Sequence, residues 1–236
     1  MILDLDGTVH PGTVGAALLR QLLTIDVVRR DAAAEALAAI AGRGGVAIPY
    51  HTTAQVVYAN YAAVVEGMHH QVLQNAARLA WQSCRGGVFA FVRPLVAAAI
   101  ENGYETVLIS GSPAEAVEWA AADLGIAHCY GTRARVVDGH CDGRLTRAPG
   151  LPGQKARCLA ELGERVPLDL LRSVALGNGC SDDEMLSIVG HPIAFEPEPE
   201  LATVAIDRGW ALADRTTALR ACREAMAVSG PGPGHR

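Results

Sequence analysis

The chain opens with Met-Ile-Leu-Asp-Leu-Asp-Gly-Thr, residues 1–8, and this stretch decides the fold. Three apolar residues lead directly into two carboxylates spaced two apart, Asp4 and Asp6, and a glycine follows them. Such a short apolar run predicts a buried strand, and Gly7 lets the backbone turn sharply where the strand ends. In a parallel α/β sheet, chemistry takes place just beyond the carboxyl ends of the strands. The opening stretch therefore predicts a site built on two carboxylates at one edge of a sheet.

The spacing of Asp4 and Asp6 allows them to divide the work of catalysis. Residues i and i+2 of a strand point to the same face, so both side chains can reach one site if strand geometry continues to Asp6. One aspartate can attack a phosphoryl group and form an aspartyl-phosphate, while the other moves protons. An Asp-Gly turn at the end of an ordinary strand would explain the same residues. The pattern leaves both interpretations open.

Composition is typical of a globular protein, because the 236-residue chain is 50% apolar and 19% charged. Its formal net charge is −5 and it contains no basic run, so we expect no nucleic-acid partner. The long uncharged stretch 44–65 contains Pro49, His51, Gln55 and Asn60. That stretch is too polar to span a membrane, so we expect no membrane partner either.

The six cysteines are scattered, without a Cys-x-x-Cys pair or the spacing of zinc ligands. In a chain of this size they are typical of reduced thiols. The first residues lack the basic segment of a signal peptide, and Asp4 and Asp6 interrupt any hydrophobic one. These features predict a cytoplasmic protein. Heavy use of alanine and arginine further suggests GC-rich coding and a bacterial source.

Residues 12–87 are rich in alanine, leucine and valine and predict helices. The helices are expected near 13–23, 31–42, 51–70 and 71–84. Turn signals flank the segment, with Pro11-Gly12 before it and Gly86-Gly87 after it. The sequence therefore predicts a helical cap over 12–87, built as a small bundle.

From residue 88 onward, strand and helix patterns alternate. Strands are predicted at 106–109, 126–130, 135–137, 143–145, 174–176 and 192–195, and helices near 90–102, 113–124, 153–164, 184–189, 199–208 and 214–227. Together with the opening strand, this alternation predicts an α/β protein with a doubly wound, Rossmann-like parallel sheet. The predicted core comprises 1–11 and 88–228, with the cap inserted after the first strand. The Gly/Pro-rich tail 229–236 is predicted to be disordered.

The strand-to-helix junctions carry polar residues suited to phosphate. Ser110-Gly111 follows one strand and offers a hydroxyl and backbone N–H groups as an anion site, although a serine N-cap would use the same atoms. Lys155 is the only lysine among the 20 basic residues and could neutralise a phosphate or the attacking carboxylate. Asp182 and Asp183 follow another strand, and with Asp4 they could bind a hard cation. Acidic residues at a helix N-terminus are also favourable without any ligand.

In order and spacing, these junctions resemble those of the haloacid dehalogenase superfamily, in its phosphoserine-phosphatase-like branch. Asp4–Thr8 matches the first motif, DxDGT, and Ser110 matches the serine that follows an apolar strand. Lys155 matches the motif lysine, and Gly177–Leu186, GNGCSDDEML, matches the glycine and acidic cluster of the fourth motif. Three further stretches resemble the same branch: 131–145, 190–201 and 208–210. The resemblance covers the core, whereas the cap matches only in position and helical character.

The resemblance implies a phosphatase that hydrolyses a small phosphomonoester through an aspartyl-phosphate, with Mg²⁺ as its cofactor. It makes Asp4 the nucleophile, while Asp6 protonates the leaving oxygen and then activates water. Lys155 balances charge, and Ser110 and the Gly111 amide hold phosphoryl oxygens. The implied Mg²⁺ ligands are Asp4, the Asp6 carbonyl, Asn178 and Asp182, with Asp183 as an alternative or supporting group.

One position departs from the family motif. The fourth motif usually has aspartate after its first glycine, where this chain has Asn178. Asparagine can coordinate Mg²⁺ through its amide oxygen but brings no charge, so we expect weaker Mg²⁺ binding than at a site with three carboxylates. The departure motivates an alternative, a phospho-ligand-binding protein that keeps the fold without turnover. Phosphotransfer to another alcohol is a second alternative.

The cap predicts the chemistry of the leaving group. The phosphoserine phosphatases that this chain resembles carry a glutamate nine residues after the nucleophile and an arginine in the cap. Here Thr13 occupies the first position, and 44–65 has no charged residue but holds Tyr50, Tyr58 and Tyr61. These tyrosines could simply pack the cap against the core. As a pocket, they predict an uncharged leaving group, such as a sugar or nucleoside, with phosphoserine as the alternative.

Overall fold

The computed structural model describes residues 1–25, 28–42 and 50–229, without the side chains of Tyr50 and His51. In this part of the chain seven strands form one sheet: β1 (Ile2–Leu3), β2 (Val107–Pro113), β3 (His128–Val137), β4 (His140–Arg147), β5 (Val174–Gly177), β6 (His191–Phe195) and β7 (Ala211–Ala213). Their order is β4-β3-β2-β1-β5-β6-β7. Every neighbouring pair is parallel except β3 and β4.

Ten helices surround the sheet in the described ranges: α1 (Val14–Leu22), α2 (Arg30–Ala41), α3 (Tyr50–Val65), α4 (His70–Cys84), α5 (Val92–Glu101), α6 (Ala114–Leu124), α7 (Gln154–Gly163), α8 (Asp183–Ser187), α9 (Pro199–Asp207) and α10 (Ala218–Ser229). Short 3₁₀ turns lie at Arg85–Gly87, Leu170–Arg172 and Cys180–Asp182. Helices α1 to α4 all lie between β1 and β2 in the chain.

Both faces of the sheet are covered, which explains the uninterrupted apolar runs of its strands. On one face Leu3 and Leu108 pack in a core with residues of α1, α4, α5, α6 and α10. On the other face Ile2 and Ile109 pack against α7, α8 and α9. The alternation of neighbouring residues between the two cores follows from the two-residue period of a strand. The predicted doubly wound α/β architecture is confirmed.

The inserted helices leave and rejoin the core at two adjacent points. The amide of Phe89 donates to the carbonyl of Val9 at 3.0 Å, so the returning chain runs beside the departing one. Beyond this crossing, α1 and α4 share their apolar core with Leu3 of the central strand. Helices α1 and α4 therefore pack directly against the sheet.

The structure differs from the predicted elements in several places. The two strands predicted at 126–130 and 135–137 are parts of one strand, β3, which begins at His128 and pairs with β2 in its first half and with β4 in its second. Because β3 changes its partner strand halfway along, its sequence pattern changes there too, and the pattern predicts two strands. Strand β7 was not predicted because it has three residues, two of them exposed. The predicted tail begins one residue too early, since Ser229 ends α10, and residues 230–236 lie outside the described part.

Within the described residues, none of the helices alone has the length and apolar character needed to cross a membrane. The bent pair formed by His70–Gly87 and Val92–Glu101 meets that criterion only when its two helices are taken together. All six cysteines lie in the described part and are free.

Gly131 allows β3 to pass closely against the start of α6. A Cβ atom added at Gly131 would lie 2.5 Å from the Cα of Ala114 and 2.9 Å from the carbonyl oxygen of Ser112, and neither backbone atom can move alone. We expect Gly131→Ala to lower the free energy of unfolding by about 1–3 kcal/mol. Urea denaturation followed by circular dichroism measures this change.

Gly163→Ala is the matched control for that experiment. An added Cβ there has no neighbour within 4 Å, and the position ends α7, so alanine should be neutral or stabilising by up to about 1 kcal/mol. Equal effects of the two substitutions would contradict the packing argument.

Candidate active site

Asp4 stands at the carboxyl edge of the central strand. Its amide still donates to the carbonyl of Leu176 on β5 at 3.0 Å, so the backbone is held as firmly as in the sheet. The loop then turns back at Gly7, whose φ is +89°. A Cβ at Gly7 would lie 2.2 Å from the side-chain nitrogen of Asn178, so glycine is required for both conformation and space. This turn brings the first and fourth motifs together.

Lys155 lies beneath Asp4 in the interior of the site. Its ammonium donates to Oδ1 of Asp4 at 2.6 Å and makes a second, shorter contact with Asp182. The lysine and Asp182 are both 1% exposed. The second oxygen of Asp182 accepts the amides of Asn178 and Gly179 at 2.9 and 3.0 Å. Asp182 is therefore engaged through both oxygens and anchors the lysine and the fourth-motif loop.

Charge in this buried site is unbalanced. Among the described residues, the carboxylates of Asp4, Asp6 and Asp182 face the single ammonium of Lys155. Burial, followed by the charge of Asp182, raises the pKa of Asp4 from 3.8 to about 7, although Lys155 opposes the shift. Burial acts to lower the pKa of Lys155, but Asp182 and Asp4 together outweigh it and raise that pKa. The excess of negative charge makes the site favourable for a cation.

Asp6 is half-buried and its carboxylate is held by three donors. The amide of Val14, in the first turn of α1, donates to Oδ1 at 2.7 Å. The hydroxyls of Ser110 and Ser112 both donate to Oδ2, at 3.0 and 2.6 Å. The first and second motifs are thus joined through Asp6.

The sequence predicts Ser110-Gly111 at a junction between a strand and a helix. The structure instead places both residues inside β2, because β2 continues to Pro113 and α6 begins at Ala114. The hydroxyl of Ser110 is fully buried and already bonded, since it also accepts the amide of Ser112 at 2.9 Å. Gly111 instead lines the cavity. The hydroxyl of Tyr58 lies 2.6 Å from where a Cβ of Gly111 would be, so α3 reaches this point.

A cavity of about 80 Å³ connects the carboxylates to the inserted helices. Asp4, Asp6, Gly111 and Asn178 line it from the core, and the insert contributes predicted residues and apolar ones: Thr13, Leu19, Ile40, Val57, Tyr58 and Tyr61. Glu198 also lies on its wall. The structure thus brings most of the predicted site residues around one space.

The family model of the haloacid dehalogenase-like hydrolases matches residues 1–187 of this chain. The chain belongs to that family. The prediction of this superfamily and of its phosphoserine-phosphatase-like branch is confirmed.

Relatives of this haloacid dehalogenase-like hydrolase include proteins of known structure. The phosphoserine phosphatase SerB1 of Mycobacterium tuberculosis is 33% identical over 144 residues, which are 59% of this chain and 47% of that protein. The chain therefore spans about half the length of that relative. A substrate-bound phosphoserine phosphatase structure matches with a TM-score of 0.65 at 16% identity over 91% of both chains. A Bordetella pertussis protein of unknown function matches with a TM-score of 0.71 at 18% identity, over 91% of this chain and 97% of that one. Such structural matches establish the fold.

Four predicted site residues of this hydrolase that the structure describes do not line the cavity. Ser110, Lys155 and Asp182 lie beneath it and support the groups that do. Asp183 turns outward, where it accepts from Arg208 at 2.9 Å and from the hydroxyl of Ser187 at 3.0 Å. The predicted contribution of the Tyr50 side chain falls outside the described residues.

Ser112 is a site residue that the sequence does not single out, although its spacing from Ser110 carries a signal. It follows Ser110 by two residues, and positions i and i+2 of a strand share a face. A serine on the same face had the same access to Asp6. Thr8, Ser181 and Glu198 also lie at the site without having been predicted individually, since their types carry no specific signal.

The chemistry of the donor set fits a hard cation. The described residues contain no cluster of three His, Cys, Asp or Glu side chains arranged around a metal. The cavity nevertheless offers the Asp4 carboxylate and the Asn178 amide, and the excess negative charge beneath them favours a divalent cation. Oxygen donors of this kind suit Mg²⁺. The residues therefore fit the metal that haloacid dehalogenase-like phosphatases generally use.

The raised pKa of Asp4 predicts a specific dependence of stability on pH. Between pH 3.8 and about 7, the carboxyl of Asp4 is ionised in the unfolded chain but still protonated in the folded one. Raising the pH through this window therefore favours unfolding, by an amount on the order of a few kcal/mol. We expect the stability advantage of Asp4→Asn over wild type to grow as pH rises from about 4 to 7.

Urea unfolding at several pH values, with EDTA present, measures that advantage. Asp138→Asn, in the exposed turn between β3 and β4, is the matched control and should show no such trend. An advantage for Asp4→Asn that is constant or shrinks with rising pH would show that the burial of Asp4 does not govern its ionisation.

Proposed function

We propose that this haloacid dehalogenase-like hydrolase is a phosphatase that hydrolyses a small phosphomonoester through an aspartyl-phosphate on Asp4. The observation that carries the proposal is the position of Asp4 and Asp6 on one cavity, with Lys155 bonded to the first and two serine hydroxyls bonded to the second. The family match supports hydrolysis as the reaction. The name of the relative SerB1 supports a phosphomonoester as the substrate.

In the first step, an oxygen of the Asp4 carboxylate attacks phosphorus while the bond from phosphorus to the leaving oxygen breaks. Lys155 holds Oδ1 of Asp4 and keeps the nucleophile directed. Protonated Asp6 gives its proton to the leaving oxygen, so a neutral alcohol departs. Mg²⁺, held by Asp4, the Asp6 carbonyl and Asn178, would supply positive charge between the anionic nucleophile and the anionic phosphate.

In the second step, water attacks the phosphorus of the aspartyl-phosphate. The Asp6 carboxylate takes a proton from that water, and the bond to Asp4 breaks, which releases phosphate and restores both carboxyl groups. The amide of Gly111 and the hydroxyl of Ser110 hold phosphoryl oxygens in this proposal. Because Ser110 is bonded to Asp6 without substrate, its contact with phosphate requires that bond to be exchanged.

We further propose that residues 12–87 act as a cap that selects the leaving group. Thr13 and Tyr58 line the cavity together with apolar residues of α1 to α3, and no described lining residue is arginine, lysine or histidine. An unpaired carboxylate buried there would cost on the order of several kcal/mol. An uncharged sugar or nucleoside leaving group therefore suits this wall better than serine. Phosphoserine is the alternative that the relative's name favours.

Phosphate release across a panel of phosphomonoesters, with Mg²⁺ present, tests the proposal. We expect sugar phosphates or nucleoside monophosphates to give a higher kcat/KM than phosphoserine. Asp4→Asn should lower release by about three orders of magnitude or more, since it removes the nucleophile. The exposed Asp138→Asn variant is the control and should keep wild-type rates.

Each outcome of the panel bears on a different part of the proposal. Substantial release by Asp4→Asn would refute its role as nucleophile. Phosphoserine as the best substrate would refute the assignment of the leaving group alone. Failure to hydrolyse any member, with phosphomonoesters still bound, would favour a binding protein over a phosphatase.

Asn178→Asp tests the proposed metal site. The substitution restores a carboxylate without changing shape, so we expect about a tenfold lower Mg²⁺ concentration for half-maximal activity and for half-maximal thermal stabilisation. In EDTA the variant should be less stable than wild type, because it adds charge to a site that already has an excess. Asn75→Asp, on the exposed face of α4, is the matched control. Unchanged Mg²⁺ dependence would exclude Asn178 from the metal site.

A further inference from the structure

Ser112 makes the shortest described contact with the proposed acid–base residue. Its hydroxyl oxygen lies 2.6 Å from Oδ2 of Asp6, compared with 3.0 Å for Ser110. Ser112 is 3% exposed, lies on β2 and lines the cavity. It is therefore placed to influence how Asp6 presents its carboxyl group to a leaving oxygen.

The direction of this hydrogen bond is determined by a backbone amide. The amide of Gly15 lies 2.7 Å from the hydroxyl oxygen of Ser112, and an amide can only donate. The Ser112 hydroxyl therefore accepts from Gly15 and directs its single proton to Asp6. The same logic holds for Ser110, because the amide of Ser112 donates to it at 2.9 Å. Two hydroxyl protons thus converge on Oδ2 of Asp6.

These contacts connect Asp6 to the first turn of α1. Val14 donates directly to Oδ1, and Gly15 donates to Ser112, which in turn donates to Oδ2. A Cβ at Gly15 would lie 3.1 Å from the Ser112 hydroxyl oxygen, so a side chain there would press against that hydroxyl. Both carboxylate oxygens are therefore oriented by the element that begins the insert.

We propose that Ser112 is a positioning residue for Asp6. Its hydroxyl holds the carboxyl group in the orientation that delivers a proton to the leaving oxygen, and it does so through the first turn of α1. Ser112 itself transfers no proton. This inference rests on the proposed phosphatase function, in which Asp6 is the general acid of the first step.

A series of leaving groups distinguishes a loss of proton delivery from a general loss of activity. The probes are p-nitrophenyl phosphate, phenyl phosphate and benzyl phosphate, which share a ring but release increasingly basic oxygens. The parameter is kcat/KM, since it reports the step in which the leaving group departs. A good leaving group needs little proton transfer, whereas a basic one depends on it.

We expect Ser112→Ala to lower kcat/KM for benzyl phosphate by about tenfold or more, and that for p-nitrophenyl phosphate by less than about threefold. Ser112→Thr keeps the hydroxyl and should restore the benzyl phosphate rate. Ser83→Ala removes a hydroxyl bonded only within the α4 region and is the control that should leave all three rates unchanged.

The outcomes are distinguishable from those of the parent proposal. Equal losses with all three probes, or no loss with any, would overturn the role of Ser112 while leaving the phosphatase intact. A wild-type protein that hydrolyses neither these probes nor the sugar phosphates and nucleoside monophosphates of the panel would overturn the phosphatase proposal, and this inference with it. If Ser112→Thr does not fold, the difference between the probes in Ser112→Ala still tests the role of Ser112.

Discussion

The site depends on the burial of one ammonium between two carboxylates. Lys155 is the chain's only lysine and bonds both Asp4 and Asp182 in the interior. Replacing Lys155 by a neutral residue would cost about 3–5 kcal/mol, because it would leave buried carboxylates without a compensating charge. A single ammonium still does not balance the carboxylates around it, and burial, followed by the charge of Asp182, raises the pKa of Asp4. The same arrangement therefore anchors Lys155 tightly and leaves an excess of negative charge. That excess suits a site that receives a cation.

A second constraint connects the core to the inserted helices. Asp6 follows the central strand closely, yet two of the amides that orient its carboxylate belong to the first turn of α1, one of them acting through Ser112. On the other side of the cavity, the Tyr58 hydroxyl lies 2.6 Å from where a Cβ of Gly111 would be. The geometry of the proposed catalytic groups is thus a property of the core and the insert together.

Much of the site could be predicted because its residues occupy positions with strong local signals. Asp4 and Asp6 follow an apolar run, and Lys155 stands out in a chain that otherwise uses arginine. The contacts that could not be predicted join residues that are distant in sequence. The sequence predicts Asp182 as a metal ligand, and only the structure shows that its two oxygens accept from Lys155 and from the loop amides. Ser110 was predicted at a helix terminus, but β2 continues past it.

The sequence by itself determined the α/β class, the insertion point of the helices and the family, because hydrophobic periodicity and short motifs are local properties. Only the tertiary structure decided which oxygen of each carboxylate is engaged and which groups face the cavity. Ser112 illustrates the reason. Its role depends on an amide of Gly15, 97 residues away in the chain, and such a contact exists only once β2 and α1 are packed together. Hydrogen-bond direction and burial are set by folded neighbours, and no local pattern encodes them.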